Sequence, residues 1–252
     1  FGAIEAKGKL PVSINDNFKV NDGLSTDKLN RLGFTAPENV GMDPKILSNI
    51  DAIVQKAISE KMTPGAQVLV ARKGKVIFQK SFGYQTYDAT TKINNSTIYD
   101  VASLSKILST LPNVMQQYDK NLINMETTLG TMLPIFNNSD KQDIHFKELL
   151  SHYAGLVAWI PFYKATLDHS SKPLDKYYRK IGDEQFSKKV ADSLFMRNDY
   201  HDTIMKMIVE SKLSTKKEYK YSDFTFMILK DYLEKATGRT LDVLSSENFY
   251  KS

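Results

Sequence analysis

A chain of 252 residues is long enough for one large domain or two small ones and can bury a sizeable core. Hydrophobic residues at 41% and charged residues at 25% give an ordinary globular profile that excludes collagen-like, coiled-coil and wholly disordered chains. Cysteine is absent and there are four histidines, which removes disulfide frameworks, thiolate zinc sites and thiol nucleophiles and argues against a His-rich metal site.

The net charge is +5, and residues 171–220 carry +4 of it with signs alternating along the segment. That pattern reads as a solvated helical face rather than a nucleic-acid patch. No apolar run approaches the ~18 residues of a membrane span, and no signal-peptide pattern opens the chain.

Residues 1–41 are punctuated by Gly, Asn and Asp and read as a lead-in or linker without core elements. A helix is expected over about 43–60, capped by Asp43 with Pro44 at its first position, burying one face through Ile46, Ile50, Ile53, Val54, Ala57 and Ile58. The β-rich runs 66–71 and 76–82, separated by a short Gly74-containing turn, form a hairpin. A hairpin alone is marginal in water, so this one must pack on a helix, for which 43–60 is the nearest candidate. An unpaired sheet edge is expected beside it.

From about 103 the pattern turns helical, with Leu104, Ile107, Leu108, Leu111 and Met115 as one apolar stripe and Phe146, Leu149 and Leu150 beginning a shorter one. Further helices are expected near 186–196 and 201–211, and a last one at 225–237 stopping at Gly238.

The segment with chemical content is Tyr99-Asp100-Val101-Ala102-Ser103-Leu104-Ser105-Lys106. Ser103 and Lys106, three apart at a helix start, project from one face that Thr110 continues. A serine becomes a nucleophile only with a base, and a lysine one turn away serves if burial or a cationic neighbour lowers its pKa. Ser-x-x-Lys alone is a weak signal, equally served by a capping serine and a solvent-facing lysine.

Three further segments extend that motif. Tyr221-Ser222-Asp223 precedes the apolar run 224–229, Leu149-Leu150-Ser151-His152-Tyr153-Ala154-Gly155-Leu156 ends the short helix, and Pro64-Gly65 precedes the hairpin. Together with Ser103-x-x-Lys106, and with Ala236-Thr237-Gly238 after the last helix, they resemble in type and order the serine β-lactamase and penicillin-binding protein superfamily, class C-related esterases and peptidases in particular. The resemblance covers about residues 40–252.

It implies an α+β fold of the β-lactamase/transpeptidase type: an antiparallel sheet flanked by helices, with an inserted all-helical subdomain over about 103–215. The sheet is expected to be incomplete in this chain, because the Lys/His-Ser/Thr-Gly strand that follows the Tyr motif in the superfamily is not found. Domain limits are then 1–41, a linker and tail of a preceding domain, and 42–252, a partial β-lactamase-related domain. Gly8-Lys9-Leu10-Pro11-Val12-Ser13 and Phe1-Gly2-Ala3-Ile4 resemble the closing segment of family-three glycoside hydrolases, and Arg31-Leu32-Gly33-Phe34 with Gly41-Met42-Asp43 resembles the junction found in two-domain Bacteroidetes fusions.

The roles the resemblance implies are Ser103 as acylated nucleophile, Lys106 as proton acceptor or shuttle, and Tyr221 as second base with a phenol pKa lowered by the neighbouring ammonium. Asp223 and Trp159 are the substrate-binding candidates; Asp223 departs from the more usual Asn, and packing is the alternative for Trp159 and its neighbour Tyr163. His152 is read as structural, satisfying backbone groups around the turn at Gly155. The convergence of Ser103, Lys106 and Tyr221 within hydrogen-bond reach, or one water of it, is expected.

The implied function is acyl transfer on an ester or amide, whether peptidoglycan stem peptide, ester or β-lactam, without metal or cofactor. The setting would be periplasmic or secreted in a bacterial envelope. The alternative is an inactive binding or accessory module of a cell-wall β-N-acetylhexosaminidase.

Overall fold

The computed structural model describes residues 7–25, 27 and 31–251, so the Phe1–Ile4 part of the glycosidase resemblance lies outside the described residues. The chain forms two compact units, Phe1–Asp100 and Val101–Ser252. Among the described residues no helix is long and apolar enough to cross a membrane.

The first unit is built on a three-stranded sheet in the order β1-β3-β2, with β1 at Gly33–Phe34, β2 at Gly65–Arg72 and β3 at Lys75–Gly83. β2 and β3 are the expected antiparallel hairpin. Lys73 and Gly74 turn it with φ of 51° and 70°, and two consecutive positive φ values match the right-handed twist of the flanking strands. β1 runs parallel to β3, and Val40 shortly after it is buried. Residues 33–40 are therefore part of this fold, which corrects the reading of everything up to 41 as linker.

The expected helix over 43–60 is present in two pieces, α1 at Pro44–Leu47 and α2 at Asn49–Ser59. Asp43 caps the first by accepting the Lys45 N–H at 2.8 Å. Leu47 and Ile50 pack with Ile77 and Val70 of the hairpin. The expected stripe is only partly used: Ile50, Val54, Ala57 and Ile58 are at least partly covered, while Ile46 and Ile53 are exposed.

The second unit opens with a π-turn at Lys106–Thr110 that runs into α3 at Leu111–Asp119. It continues through α4 at Leu129–Met132, α5 at Phe146–Leu150, strands β4 (Tyr178–Arg179), β5 (Lys188–Ala191) and β6 (Leu194–Met196), then α6 at Tyr200–Glu210, α7 at Phe224–Thr237 and α8 at Leu241–Ser245. Leu129, Phe136, Leu149, Ile208, Phe224 and Leu233 are fully buried in its core. α7 ends at Gly238, whose φ of 67° lets its N–H return to the Glu234 carbonyl at 2.9 Å.

Two expectations for this unit are corrected. The segment 186–196 is not a helix but the β5–β6 hairpin, which with β4 makes a sheet in the order β4-β6-β5, so the subdomain is not all-helical. Ser193 at φ 50° turns the hairpin, and Phe195 comes so close to Gly182 that a Cβ there would lie 2.9 Å from its ring. The strand places Phe195 against that glycine.

The stripe Leu104, Ile107, Leu108 and Met115 is the second case, being exposed rather than buried. The face turned to the core instead carries Thr110, Asn113, Val114 and Gln117. A polar lattice explains how: Asn113 Nδ2 donates to the Ser109 carbonyl at 2.9 Å and to Ser245 Oγ at 3.1 Å, and Asn248 Nδ2 donates to Asn113 Oδ1 at 2.8 Å. Buried polar groups satisfied in this way can outcompete an apolar face.

Candidate active site

Ser103 lies on a tight turn at the helix entry. Ala102 before it has φ 42°, and the N–H groups of Leu104, Ser105 and Lys106 donate to the carbonyls of Val101, Ala102 and Ser103 at 2.9, 3.0 and 3.1 Å. A positive φ on alanine is costly, and such residues gather where a side chain must be aimed. The π-turn that follows has a sequence cause, because Pro112 has no N–H to give the Leu108 carbonyl. The Tyr250 hydroxyl takes that carbonyl at 2.5 Å.

Tyr221-Ser222-Asp223 is aimed by its middle residue. Ser222 is buried, donates through Oγ to the Val157 carbonyl at 2.7 Å and accepts the Phe224 N–H at 3.2 Å. Asp223 N–H donates to the Ala158 carbonyl at 3.0 Å. With the centre pinned at the start of α7, Tyr221 and Asp223 both reach the Ser103–Lys106 face.

Lys106 Nζ donates to Ser103 Oγ at 3.0 Å and pairs with Asp223 Oδ1 at 2.8 Å. Tyr221 Oη lies 3.3 Å from Ser103 Oγ, and Lys106 Nζ sits 5.5 Å from the Tyr221 ring centre. The expectation of a lysine with lowered pKa is corrected. Burial does pull its pKa down, but the hydrogen bonds and negative charge of Asp223, with those of Tyr221, more than offset burial and hold it above the ordinary lysine value. Lys106 is an ammonium at neutral pH.

Around Ser103 lie two cavities. One of about 610 Å³ is lined by Ser103, Lys106, Ile107, Leu150, His152, Tyr221 and Phe226 among others. The second, of about 410 Å³, is lined by Ser103, Ser105, Lys106, Asp223, Met227 and others. Trp159 lines neither; it is half exposed, with its ring 6.4 Å from that of Tyr163. The structure thus brings Ser103, Lys106, Tyr221 and Asp223 together and leaves Trp159 beside Tyr163.

His152, expected to satisfy backbone groups around the turn at Gly155, satisfies groups flanking Tyr221. Its ring centre is 4.7 Å from that of Tyr221, and its Nδ1 accepts the Ser222 N–H at 3.3 Å. Burial first, and the Lys106 charge second, hold its pKa below the ordinary histidine value, with Asp223 opposing. The sequence signal for it is its place in the segment Leu149–Leu156, which does not say what the ring touches.

Similarity to known proteins bears on family and fold. The Beta-lactamase family model matches residues 50–252. The N-acetylmuramyl-L-alanine amidase of Bacillus subtilis is 23% identical over 227 residues, covering 85% of this chain and 46% of that protein. Protein flp of Staphylococcus aureus strain MW2 is 27% identical over 138 residues, covering 54% of this chain and 28% of the relative. Among solved structures, EstCE1, a hydrolase with promiscuous acyltransferase activity, superposes with a TM-score of 0.57 at 21% identity, covering 80% of this chain and 50% of that one. The chain spans half or less of the length of each of these relatives. Its match to the family over most of its residues shows that the chain belongs to the Beta-lactamase family, with the α+β fold of that family.

Proposed function

We propose that the protein is a serine acyl-transfer hydrolase acting on an ester or amide. The observation that carries this reading is the meeting of Ser103 Oγ with both Lys106 Nζ at 3.0 Å and Tyr221 Oη at 3.3 Å. Because Lys106 is held charged, the base role falls to Tyr221 Oη, which can accept the Ser103 proton only once it has released its own.

In the step proposed, the Ser103 hydroxyl proton passes to Tyr221 Oη as Oγ bonds to the substrate carbonyl carbon. Collapse of the tetrahedral intermediate breaks the bond to the leaving alcohol or amine, which takes the proton back from Tyr221. Water then repeats the sequence on the acyl-enzyme, giving its proton to Tyr221, and releases the acid with Ser103 restored. Peptidoglycan stem peptides, cell-wall esters and β-lactams are the proposed substrate classes, in keeping with the printed names of the amidase relative and the hydrolase neighbour. The same reading sets the protein in the periplasm or outside the cell, following a glycosidase-like domain, on the strength of Gly8-Lys9-Leu10-Pro11-Val12-Ser13.

Covalent labelling of the intact protein by a fluorophosphonate and by a fluorescent penicillin, compared with Ser103→Ala, tests the reading. An adduct with either reagent that vanishes in Ser103→Ala is expected. No Ser103-dependent adduct with either one rejects the nucleophile. An adduct that forms without turnover of any ester or amide marks a deacylation-incompetent member. Absence of both labelling and turnover supports the second reading, an accessory module, which is favoured by Asp223 standing where the superfamily more usually has Asn.

A further inference from the structure

His152 holds the chain on both sides of Tyr221. The Lys220 N–H donates to the His152 carbonyl at 2.9 Å, and the Ser222 N–H donates to His152 Nδ1 at 3.3 Å. Between those two bonds the Tyr221 ring lies against the imidazole at 4.7 Å, tilted by 42°. One residue thus holds the Tyr219–Lys220 and Tyr221–Ser222 peptides and lies against the Tyr221 ring.

The backbone supplies a second, independent observation. His152 has φ 59°, in the left-handed region where Gly or Asn would be the inexpensive residue. Histidine is among the non-glycine residues that adopt this region more readily, and the turn it makes puts its carbonyl on the Lys220 N–H and its ring against Tyr221. The groups facing the ring are Tyr221 and Tyr219, with the Tyr219 ring centre 6.0 Å away, and Phe226 of α7 at 6.2 Å; Lys106 and Asp223 are the charges that act on it.

We infer that His152 is a positioning residue for Tyr221, effective only as the neutral imidazole whose Nδ1 accepts the Ser222 N–H, and therefore a pH-dependent brake on acylation of Ser103. The inference rests on the acyl-transfer reading. Protonation turns Nδ1 into a donor, so the bond to Ser222 is lost, and it adds a second cation near Lys106. Tyr221 then loses one of its two backbone anchors and a fixed ring partner. Burial and the Lys106 charge both favour the neutral ring, so the brake engages below the ordinary histidine value of about 6.5.

The test is the rate of fluorophosphonate labelling at Ser103 between pH 5 and 9 in the parent and in His152→Phe, which keeps an aromatic ring and removes the acceptor. The parent-to-variant ratio cancels pH effects common to both proteins. It is expected to be about tenfold above pH 7, the worth of one lost hydrogen bond of about 1.4 kcal/mol, and to fall toward one below pH 6. A ratio of one throughout, or one constant with pH, overturns the inference.

Where His152→Phe does not fold, the imidazole and the Tyr221 ring are followed by NMR in the parent. The Tyr221 ring signals must shift with the midpoint of the His152 titration, and Tyr221 signals that ignore that midpoint overturn the inference equally. This second measurement needs no labelling, so a protein that never labels at Ser103 fails the acyl-transfer reading without deciding the role of His152.

Discussion

Lys106 is pulled in two directions, by burial toward the free amine and by Asp223 and Tyr221 toward the ammonium, and the second pair prevails. The carboxylate 2.8 Å away is the group that a single substitution can remove without changing shape. Asp223→Asn keeps the geometry and discards the charge, so the Lys106 pKa is expected to fall toward its ordinary value or below, and NMR of the lysine side chain reads that shift directly. Labelling at pH 8 is expected to drop about five- to tenfold, since a charged acceptor strengthens the Lys106 bond by about 1–1.5 kcal/mol over the neutral one that Asn keeps. A Lys106 titration unchanged in Asp223→Asn would mean that Asp223 does not hold the proton in place. The family's more usual Asn at this position makes the comparison informative in both directions.

At the scale of elements, what could be read from the chain was what local chemistry decides. The end of α7 was legible because Gly238 supplies a positive φ that few residues tolerate, and the β2–β3 turn because Lys73-Gly74 sits between two β-rich runs. The β5–β6 hairpin was not, since it is made by pairing between strands, with β4 added across β6, which the spacing within 186–196 does not disclose. The exposed stripe of Leu104, Ile107, Leu108 and Met115 was misjudged for a similar reason: Pro112 and the Asn113 lattice, not apolar spacing, set which face turns inward. For the site, type and order disclosed Ser103, Lys106 and Tyr221, while the charge state of Lys106 and the contacts of His152 needed coordinates.

One helix pair also carries a pH signature. Asp231 of α7 is buried, with Oδ1 3.0 Å from His201 Nε2 of α6 and Oδ2 2.9 Å from Lys235 Nζ, the latter a charge contact without hydrogen-bond alignment. The bond to Asp231 raises the His201 pKa against the pull of burial. Burial acts to raise the Asp231 pKa, but His201 and Lys235 outweigh it and leave it below the ordinary value.

A raised histidine stabilises the fold fully below about 6.5 and loses that contribution as pH climbs through the folded value. A lowered carboxylate contributes fully above about 4 and loses it as pH falls through its own folded value. Denaturation midpoints should therefore peak between about pH 4 and 6.5 for this pair, and His201→Gln should flatten the decline on the alkaline side. Asp231→Ala should cost about 2–3 kcal/mol at pH 6, at or below the low end for breaking a buried pair because both cations reach solvent. A His201→Gln profile parallel to that of the parent would assign the pH dependence elsewhere.

Over the whole molecule the apolar core is divided unevenly. Among the described residues the second unit packs twenty buried apolar side chains into one cluster, whereas the cluster under the β2–β3 hairpin holds three, Val40, Leu47 and Ile77. Burying each contributes roughly 1.5–3 kcal/mol, while fixing each backbone residue costs about 1–2 kcal/mol. The hairpin's margin is therefore the thinner of the two, and opening free energy should differ between the units rather than be shared.

Hydrogen exchange reads that difference amide by amide. The amides of α5 and α7 should exchange slowest, and those of β2 and β3 should exchange through a cheaper opening. Leu229→Ala, at a fully buried position of α7, should cost about 2–5 kcal/mol and lower protection throughout α5 and α7. Ile77→Ala should lower protection in β2 and β3 while leaving α7 as it was. Because Ser103, Lys106, His152, Tyr221 and Asp223 all belong to the second unit, Leu229→Ala should also slow labelling at Ser103 near its melting temperature, and Ile77→Ala should not. Equal protection in the hairpin and α7, or a loss in α7 on Ile77→Ala, would show instead that the two units unfold as one.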